Sequence, residues 1–244
     1  MAPQDITKPI ALITGANKSI GFTLARSLAR DHSFHILLCS RSPERGATAA
    51  SELRSQGLSV DAITLDLTSD ASILSAAAHV RTTYGRLNVL VNNAAIILDG
   101  LTVPSETLSV RELAHKTFDT NVFGTYAVTE AFLPLLHSSL SPQYPQHGPP
   151  RIVFLSSTLG SVSDRLSTSS VYDGVGSEVY RCSKAATNML GGIYARRFLE
   201  SGWKVSVVCP GYVKTDMNAG QGMVTVEGRV EEGWMREEGL EGLL

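Results

Sequence analysis

The stretch Tyr180-Arg181-Cys182-Ser183-Lys184 holds the pair of side chains with the clearest chemical use in this chain. On a helix, residues four apart share a face, with about 5–6 Å between their Cβ atoms. A phenol ionises near pH ~10 and is a poor acid or base at neutral pH. A fixed ammonium one turn away favours the phenolate and draws that pKa toward the working range. Tyr180 and Lys184 thus form a physically sensible general acid/base unit. Such pairs on exposed helix faces are common and usually just solvated, so the surroundings decide. Of the seven tyrosines, only Tyr180 has a lysine four residues later.

Other candidates sit where short apolar runs end. Thr14-Gly15-Ala16-Asn17-Lys18-Ser19-Ile20-Gly21 joins the first such run to a helical pattern. Gly15 suits a tight turn, Gly21 suits close packing, and the free N–H groups at the helix start suit a pyrophosphate. Standing alone, this stretch would read equally well as an ordinary strand-to-helix turn. In a dinucleotide-binding unit an acidic residue about 20 positions on bonds the ribose 2′-hydroxyl of NAD. Ser40-Arg41 occupies that place, and Arg41 with Lys18 can clamp a 2′-phosphate, which predicts NADPH/NADP+ as cofactor. Asp66 and Leu67 follow the third run, and Asn92-Asn93-Ala94-Ala95 the fourth. Asp66 can accept from an adenine amino group, Asn92 and Asn93 can tie backbone near a ribose, and the alanines leave room. Each acid or amide here would serve equally as a cap or turn residue. Ser156-Ser157 and Cys209-Pro210-Gly211 close the fifth and sixth runs. A hydroxyl there can bond a carbonyl oxygen lying between it and Tyr180, and no Gly-x-Ser-x-Gly elbow suggests a nucleophilic serine. Asn121 interrupts an apolar helical seam, either as a surface residue or as a holder of water.

These residues need a scaffold, and the apolar pattern supplies one. Strands are expected over Pro9–Ile13, Phe34–Cys39, Val60–Leu65, Leu87–Val91, Ile152–Leu155 and Val205–Val208. Helices are expected over Ile20–Ala29, Pro43–Gln56, Ser69–Tyr84 and Ser177–Leu199, with a long one, in one or two pieces, over Val110–Leu136. A loop with Pro104 precedes the long helix, and Ser138–Pro150 reads as a surface connection. Apolar strands alternating with helices imply a parallel sheet with right-handed crossovers, covered on both faces. The fold class is α/β, a single doubly wound domain over residues 1–225, followed by an atypical tail over 226–244. Glycines and glutamates break any apolar stripe in that tail, so the sequence predicts no further strand and loose packing there.

The 244 residues, 43% hydrophobic and 18% charged, are enough for one full core. Lys+Arg 21 against Asp+Glu 23 gives −2, with no basic face for nucleic acid or acidic lipid. No apolar run approaches the ~20 residues of a membrane span. The polar start lacks a signal-peptide core, and three cysteines without metal or CxxC spacing fit a reducing, cytoplasmic setting. Gly191-Gly192 permits close approach of another element, within the chain or in a second copy; oligomeric state stays open.

With TGANKSIG, NNAA, NVFG, the Ser157/Tyr180/Lys184 set and CPGYVKTDM in this order, residues 8 to 225 resemble the short-chain dehydrogenase/reductase superfamily, and within it the carbonyl reductase type. The resemblance implies a Rossmann-type domain that reduces a ketone or aldehyde with NADPH. It also implies that Tyr180 is the acid/base, Lys184 lowers its pKa and holds the nicotinamide ribose, Ser157 orients the substrate oxygen, and Asn121 holds a relay water. Pro210 and Gly211 would precede Val213 and Thr215 at the carboxamide end of the nicotinamide. Ser19 stands at the fingerprint's middle glycine and Ala95 at the glycine of NNAG. The gap between Ser157 and Tyr180 is long for the family, and the extra segment around Asp164–Gly176 is expected at the substrate mouth or over an oligomer surface. The alternative reading is a non-catalytic nucleotide-binding regulator; epimerisation or dehydration would call for a larger substrate domain.

Overall fold

The six apolar runs become six parallel strands in the computed structural model, which describes residues 7–99, 108–145, 147–215, 217, 220 and 222–231. They are β1 (Ile10–Ile13), β2 (His35–Ser40), β3 (Val60–Thr64), β4 (Val89–Asn92), β5 (Arg151–Leu155) and β6 (Lys204–Val208). Their order in the sheet is β3-β2-β1-β4-β5-β6. The chain starts at the centre, runs out through β2 and β3, then crosses back to β4 on the other side of β1. Connections leaving β1 and β4 therefore diverge, which opens a crevice at the carboxyl ends of those two strands.

Helices α1 (Ser19–Asp31), α2 (Pro43–Ser55), α3 (Asp70–Thr83), α4 (Val110–Phe118), α5 (Thr125–Ser138), α6 (Val162–Leu166), α7 (Glu178–Arg197) and α8 (Val226–Glu231) flank the sheet. Successive strand residues point to opposite faces. Ile10 and Leu12 pack with Val80, Phe132 and Tyr194 from α3, α5 and α7. Ala11 and Ile13 pack with Leu24, Leu28 and Leu53 from α1 and α2. Both faces are thus buried, which is why the strands read as continuous apolar runs rather than alternating ones.

Helix starts follow local chemistry. Ser42 and Ser69 accept from the amides of Arg45 and Ser72, and Ser109 with Glu112 forms a capping box at α4. The long helix expected over Val110–Leu136 is one rod, with a π turn at Asp119–Gly124 joining α4 to α5. Helix α7 starts one residue later than expected because Ser177 takes a left-handed backbone, with φ 65 and ψ 50.

The polar segment before α7 is pinned by Arg181, only 7% exposed, whose guanidinium donates to the carbonyls of Leu159, Tyr172, Val175 and Gly176. Val162, Leu166 and Val171 of this segment point to solvent. At the other end, residues 226–231, expected to be loosely packed, form α8 against α1. Thr225 Oγ1 accepts from the Gly228 amide, Val226 is buried, and Glu227 pairs with Arg26 at 3.6 Å. Among the described residues β6 pairs only with β5 and Val207 is 38% exposed; the loop with Pro104 and residues 232–244 lie outside the described residues.

The adjacent glycines of α7 do different things. A Cβ on Gly191 would lie 2.0 Å from Val207 Cγ2, whereas one on Gly192 meets nothing within 4 Å. Gly191 therefore serves close packing of α7 on β6 within the monomer. Overpacking costs about 1–3 kcal/mol, while Gly to Ala in an open helix interior gains roughly 0.5–1 kcal/mol. Gly191→Ala should lower the melting temperature by about 2–10 °C and Gly192→Ala should raise it by about 1–4 °C. Calorimetry of the two single variants checks the opposite signs.

Candidate functional site

The crevice between β1 and β4 opens into a cavity of about 520 Å³. Its walls collect most of the residues singled out from the sequence: Gly15, Asn17, Lys18, Ser19, Ile20 and Gly21 from the first turn, Arg41 after β2, and Asp66 and Leu67 after β3. Asn93 and Ala94 after β4, Tyr180 and Lys184 from α7, and Pro210 and Thr215 after β6 complete that set.

The first turn is set by hydrogen bonds to the loop after β4. Asn93 Nδ2 donates to the carbonyls of Thr14 and Gly15 at 2.7 and 3.2 Å, while Thr14 Oγ1 accepts from the amides of Asn93 and Ala94, both at 2.9 Å. A Cβ on Gly21 would come within 2.6 Å of Asn93 Nδ2, so this turn and that loop fit only with glycine there. Beyond the turn, α1 begins with no side-chain cap and no acidic residue in its first turn. Its leading N–H groups and positive dipole end face the cavity, an arrangement that favours an anion.

Asn92 lies elsewhere: it is buried beneath the sheet end and donates to Thr129 Oγ1. Asp66 lines the cavity with one carboxylate oxygen already accepting from the amide and hydroxyl of Thr68.

On the opposite wall, Tyr180 is 8% and Lys184 4% exposed, with the ammonium 5.7 Å from the centre of the phenol ring. Lys184 Nζ donates to the carbonyl of Leu155 at 2.8 Å. Burial pushes the Lys184 ammonium down to about 8, with the nearby Cys209 sulfur opposing. Burial, then the same sulfur, pushes the Tyr180 phenol well above its ordinary range. Spacing alone predicts a phenol lowered by its lysine; within the protein burial raises it instead and holds the phenol protonated.

Ser156 and Ser157 diverge. The Ser156 hydroxyl turns inward to Asn188 Oδ1 and the Lys184 carbonyl. Ser157 caps a short 3-10 turn at Thr158–Gly160, its Oγ accepting from the Leu159 amide. Ser157, Leu159 and the segment before α7 lie outside the cavity's described lining, as do Asn121, Gly211 and Val213. Asn121, 2% exposed within the π turn, donates to the Ile96 carbonyl and Ser183 Oγ and accepts from the Ile96 amide. Both its amide protons are committed to protein, so its side chain ties the loop after β4 to α7. Val213 is buried and forms a parallel bridge with Val224.

Sequence reading missed Arg45, which lines the cavity beside Arg41, and the apolar wall of Ile96, Ile97 and Leu98. Arg45 is the third residue of α2, where a basic residue ordinarily reads as solvated; its place beside the strand end was the available signal.

A family model described as short chain dehydrogenase matches residues 9–223. The chain belongs to the short-chain dehydrogenase/reductase family. It is 36% identical over 225 residues to the short-chain dehydrogenase anuI of Penicillium roqueforti, covering 91% of this chain and 85% of that one. It is 30% identical to carbonyl reductase [NADPH] 1 of Rattus norvegicus, covering 86% and 83% of the two chains. Among solved structures, NADPH-bound carbonyl reductase from chicken fatty liver superposes with a TM-score of 0.76 at 29% identity, covering 93% and 86%. This short-chain dehydrogenase/reductase thus has carbonyl reductases among its relatives in both sequence and structure.

Within that family frame Ser19 is a point of strain. It opens α1 with φ 54, a left-handed backbone where a non-glycine residue costs about 1 kcal/mol or more. Ser19→Gly should raise the melting temperature of the ligand-free protein by about 2–4 °C. An unchanged or lower value would mean that the Ser19 hydroxyl repays the strain.

Proposed function

We propose that this short-chain dehydrogenase/reductase binds NADPH and reduces the carbonyl of a ketone or aldehyde, with Tyr180 as proton donor. One observation carries the reading. A single cavity joins the uncapped start of α1 and the cations of its rim to the buried Tyr180 and Lys184 on the far wall.

The residues present fit a dinucleotide phosphate. The N–H groups at the head of α1 would take the pyrophosphate. Lys18, Arg41 and Arg45 would surround a 2′-phosphate, and Asp66 would accept from the adenine amino group. Lys184, a buried cation at the inner end, would hold the ribose nearest the reacting centre. When bound, the cofactor supplies the hydride and, once oxidised, a cationic ring.

The remaining work falls to the protein. Ser157 and Tyr180 would both donate hydrogen bonds to the substrate oxygen, and the Tyr180 proton would pass to it as negative charge develops. A phenol held protonated by burial is in the form that reduction requires. Asn121, by fixing Ile96 to Ser183, would hold the loop after β4 in register with α7. A wall of Ile96, Ile97, Leu98 and Met217 suits an uncharged, apolar carbonyl compound.

The test is NADPH oxidation with a panel of ketones, quinones, aldehydes and charged keto acids. Turnover of the apolar members is expected, and a preference for keto acids would refute the substrate class. Tyr180→Phe should lower kcat at least about 10²-fold while NADPH still binds, the usual scale for losing a general acid. Arg41→Ala should weaken NADPH by roughly 10-fold or more and leave NADH unchanged, as read by nucleotide fluorescence titration.

The pH dependence has a definite sign. Lys184 carries its charge below about 8 and loses it above. Thus kcat/KM for NADPH, which reports on the free enzyme, should fall as the pH rises through about 8. A profile flat to pH ~10, the range of an unperturbed lysine, would show that the ammonium is not depressed.

A further inference from the structure

The first turn of α7 carries Tyr180, yet the residue at its N-cap cannot serve it. Ser177 takes a left-handed backbone and makes no side-chain cap; its hydroxyl donates instead to the Asp99 carbonyl at 3.2 Å. An N-cap side chain ordinarily accepts from the second or third amide of the helix. Here those amides belong to Val179 and Tyr180, and both donate to Asp99 Oδ2, at 2.6 and 3.3 Å. The carboxylate comes from the loop after β4, the loop whose Ile96, Ile97 and Leu98 line the cavity. Its other oxygen, Oδ1, is buried with no hydrogen-bond partner among the described residues. A half-satisfied carboxylate in such a place is costly unless the satisfied half does something a neutral residue would not.

We infer that Asp99 is a positioning residue of the active site: a borrowed N-cap, supplied by the loop after β4, that fixes the first turn of α7 and with it the Tyr180 phenol relative to the loop lining the cavity. The inference rests on the reductase reading for its catalytic consequence, and on hydrogen bonds alone for the cap. An acid also suits this helix end, where the dipole is positive. Together with Asn121, which ties Ile96 to Ser183 one turn further along α7, Asp99 makes the contact between loop and helix two-pointed. Packing on the sheet fixes the body of α7, and these two contacts fix the turns that carry Tyr180 and Ser183 against the loop.

The test compares Asp99→Ala and Asp99→Asn with the parent protein in three measurements. Amide hydrogen exchange at Val179 and Tyr180 should speed at least tenfold in Asp99→Ala, while amides of α1 keep their rates. Fluorescence titration should give an NADPH Kd within threefold of the parent. With the best carbonyl substrate, kcat should fall at least tenfold. Asp99→Asn keeps one acceptor oxygen in the same place, so its exchange and kcat should stay within threefold.

Unchanged exchange at both amides in Asp99→Ala would overturn the cap. Unchanged kcat despite faster exchange would overturn the positioning role, as would an NADPH Kd that worsens in step with kcat. Should Asp99→Ala fail to fold, Asp99→Asn decides alone, a tenfold loss of kcat counting against a cap made by hydrogen bonding. If the parent turns over no carbonyl compound, the reductase reading fails, and the exchange measurement still decides the cap.

Discussion

Thr14 and Asn93 clasp the ends of β1 and β4 to each other, and the rest of the site is hung from that clasp. Four hydrogen bonds cross between them and their neighbours, with Thr14 fully buried. The sheet order reverses at this seam, so the two strands lead their connections apart and no element fills the gap. A crevice of that kind tends to collapse or to open further unless its lips are tied. Here the tie is polar and lies at the floor, and among the described residues no side chain caps the start of α1 above it. The uncapped helix start and the structural closure are therefore supplied by different atoms of one turn.

On the far wall the electrostatics run against the simple view of a lysine that lowers its tyrosine. Among the described residues no carboxylate pairs with Lys184; its ammonium donates to the backbone carbonyl of Leu155. Removing a cation from water is expensive, and the protein meets part of that cost by relaxing the ammonium toward neutrality. Tyr180, buried beside it, is held in the protonated state for the same reason. The pair thus rests in a condition suited to giving a proton to a substrate. Taking one away would need more positive charge beside the phenol than a lysine drawn down to about 8 supplies.

Much of this was legible in the chain before any coordinates. Strands buried on both faces announce themselves as apolar runs, and every one of the six was found within a residue or two of its place. Tyr180 and Lys184 were visible because four-residue spacing on a helix is a geometric fact. What stayed hidden depended on distance or on burial. Asp99 caps a helix whose amide lies 80 positions away, and no local pattern points across such a gap. The direction of the Tyr180 shift needed the depth of the phenol, which spacing does not carry. Helix α8 was masked by the glycines and glutamates around it, although Thr225 two residues before Glu227 is an N-cap signal. Arg45 was passed over because a basic residue near a helix start is more often solvated than aimed at a ligand.

The π turn at Asp119–Gly124 acts as a phase shifter. An α-helix advances about 100° per residue, so one extra residue in a turn rotates everything beyond it by roughly that angle. Upstream, α4 presents Leu113 and Thr117 inward; downstream, α5 presents Val128, Phe132, Leu135 and Leu136 to the sheet. A straight rod of the same length would keep a single phase and could satisfy only one of these surfaces. Asn121 lies inside the shift itself, where the backbone belongs to neither half. Loss or gain of one residue in this turn would thus be felt along the whole rod, as a rotation of one apolar stripe against the other.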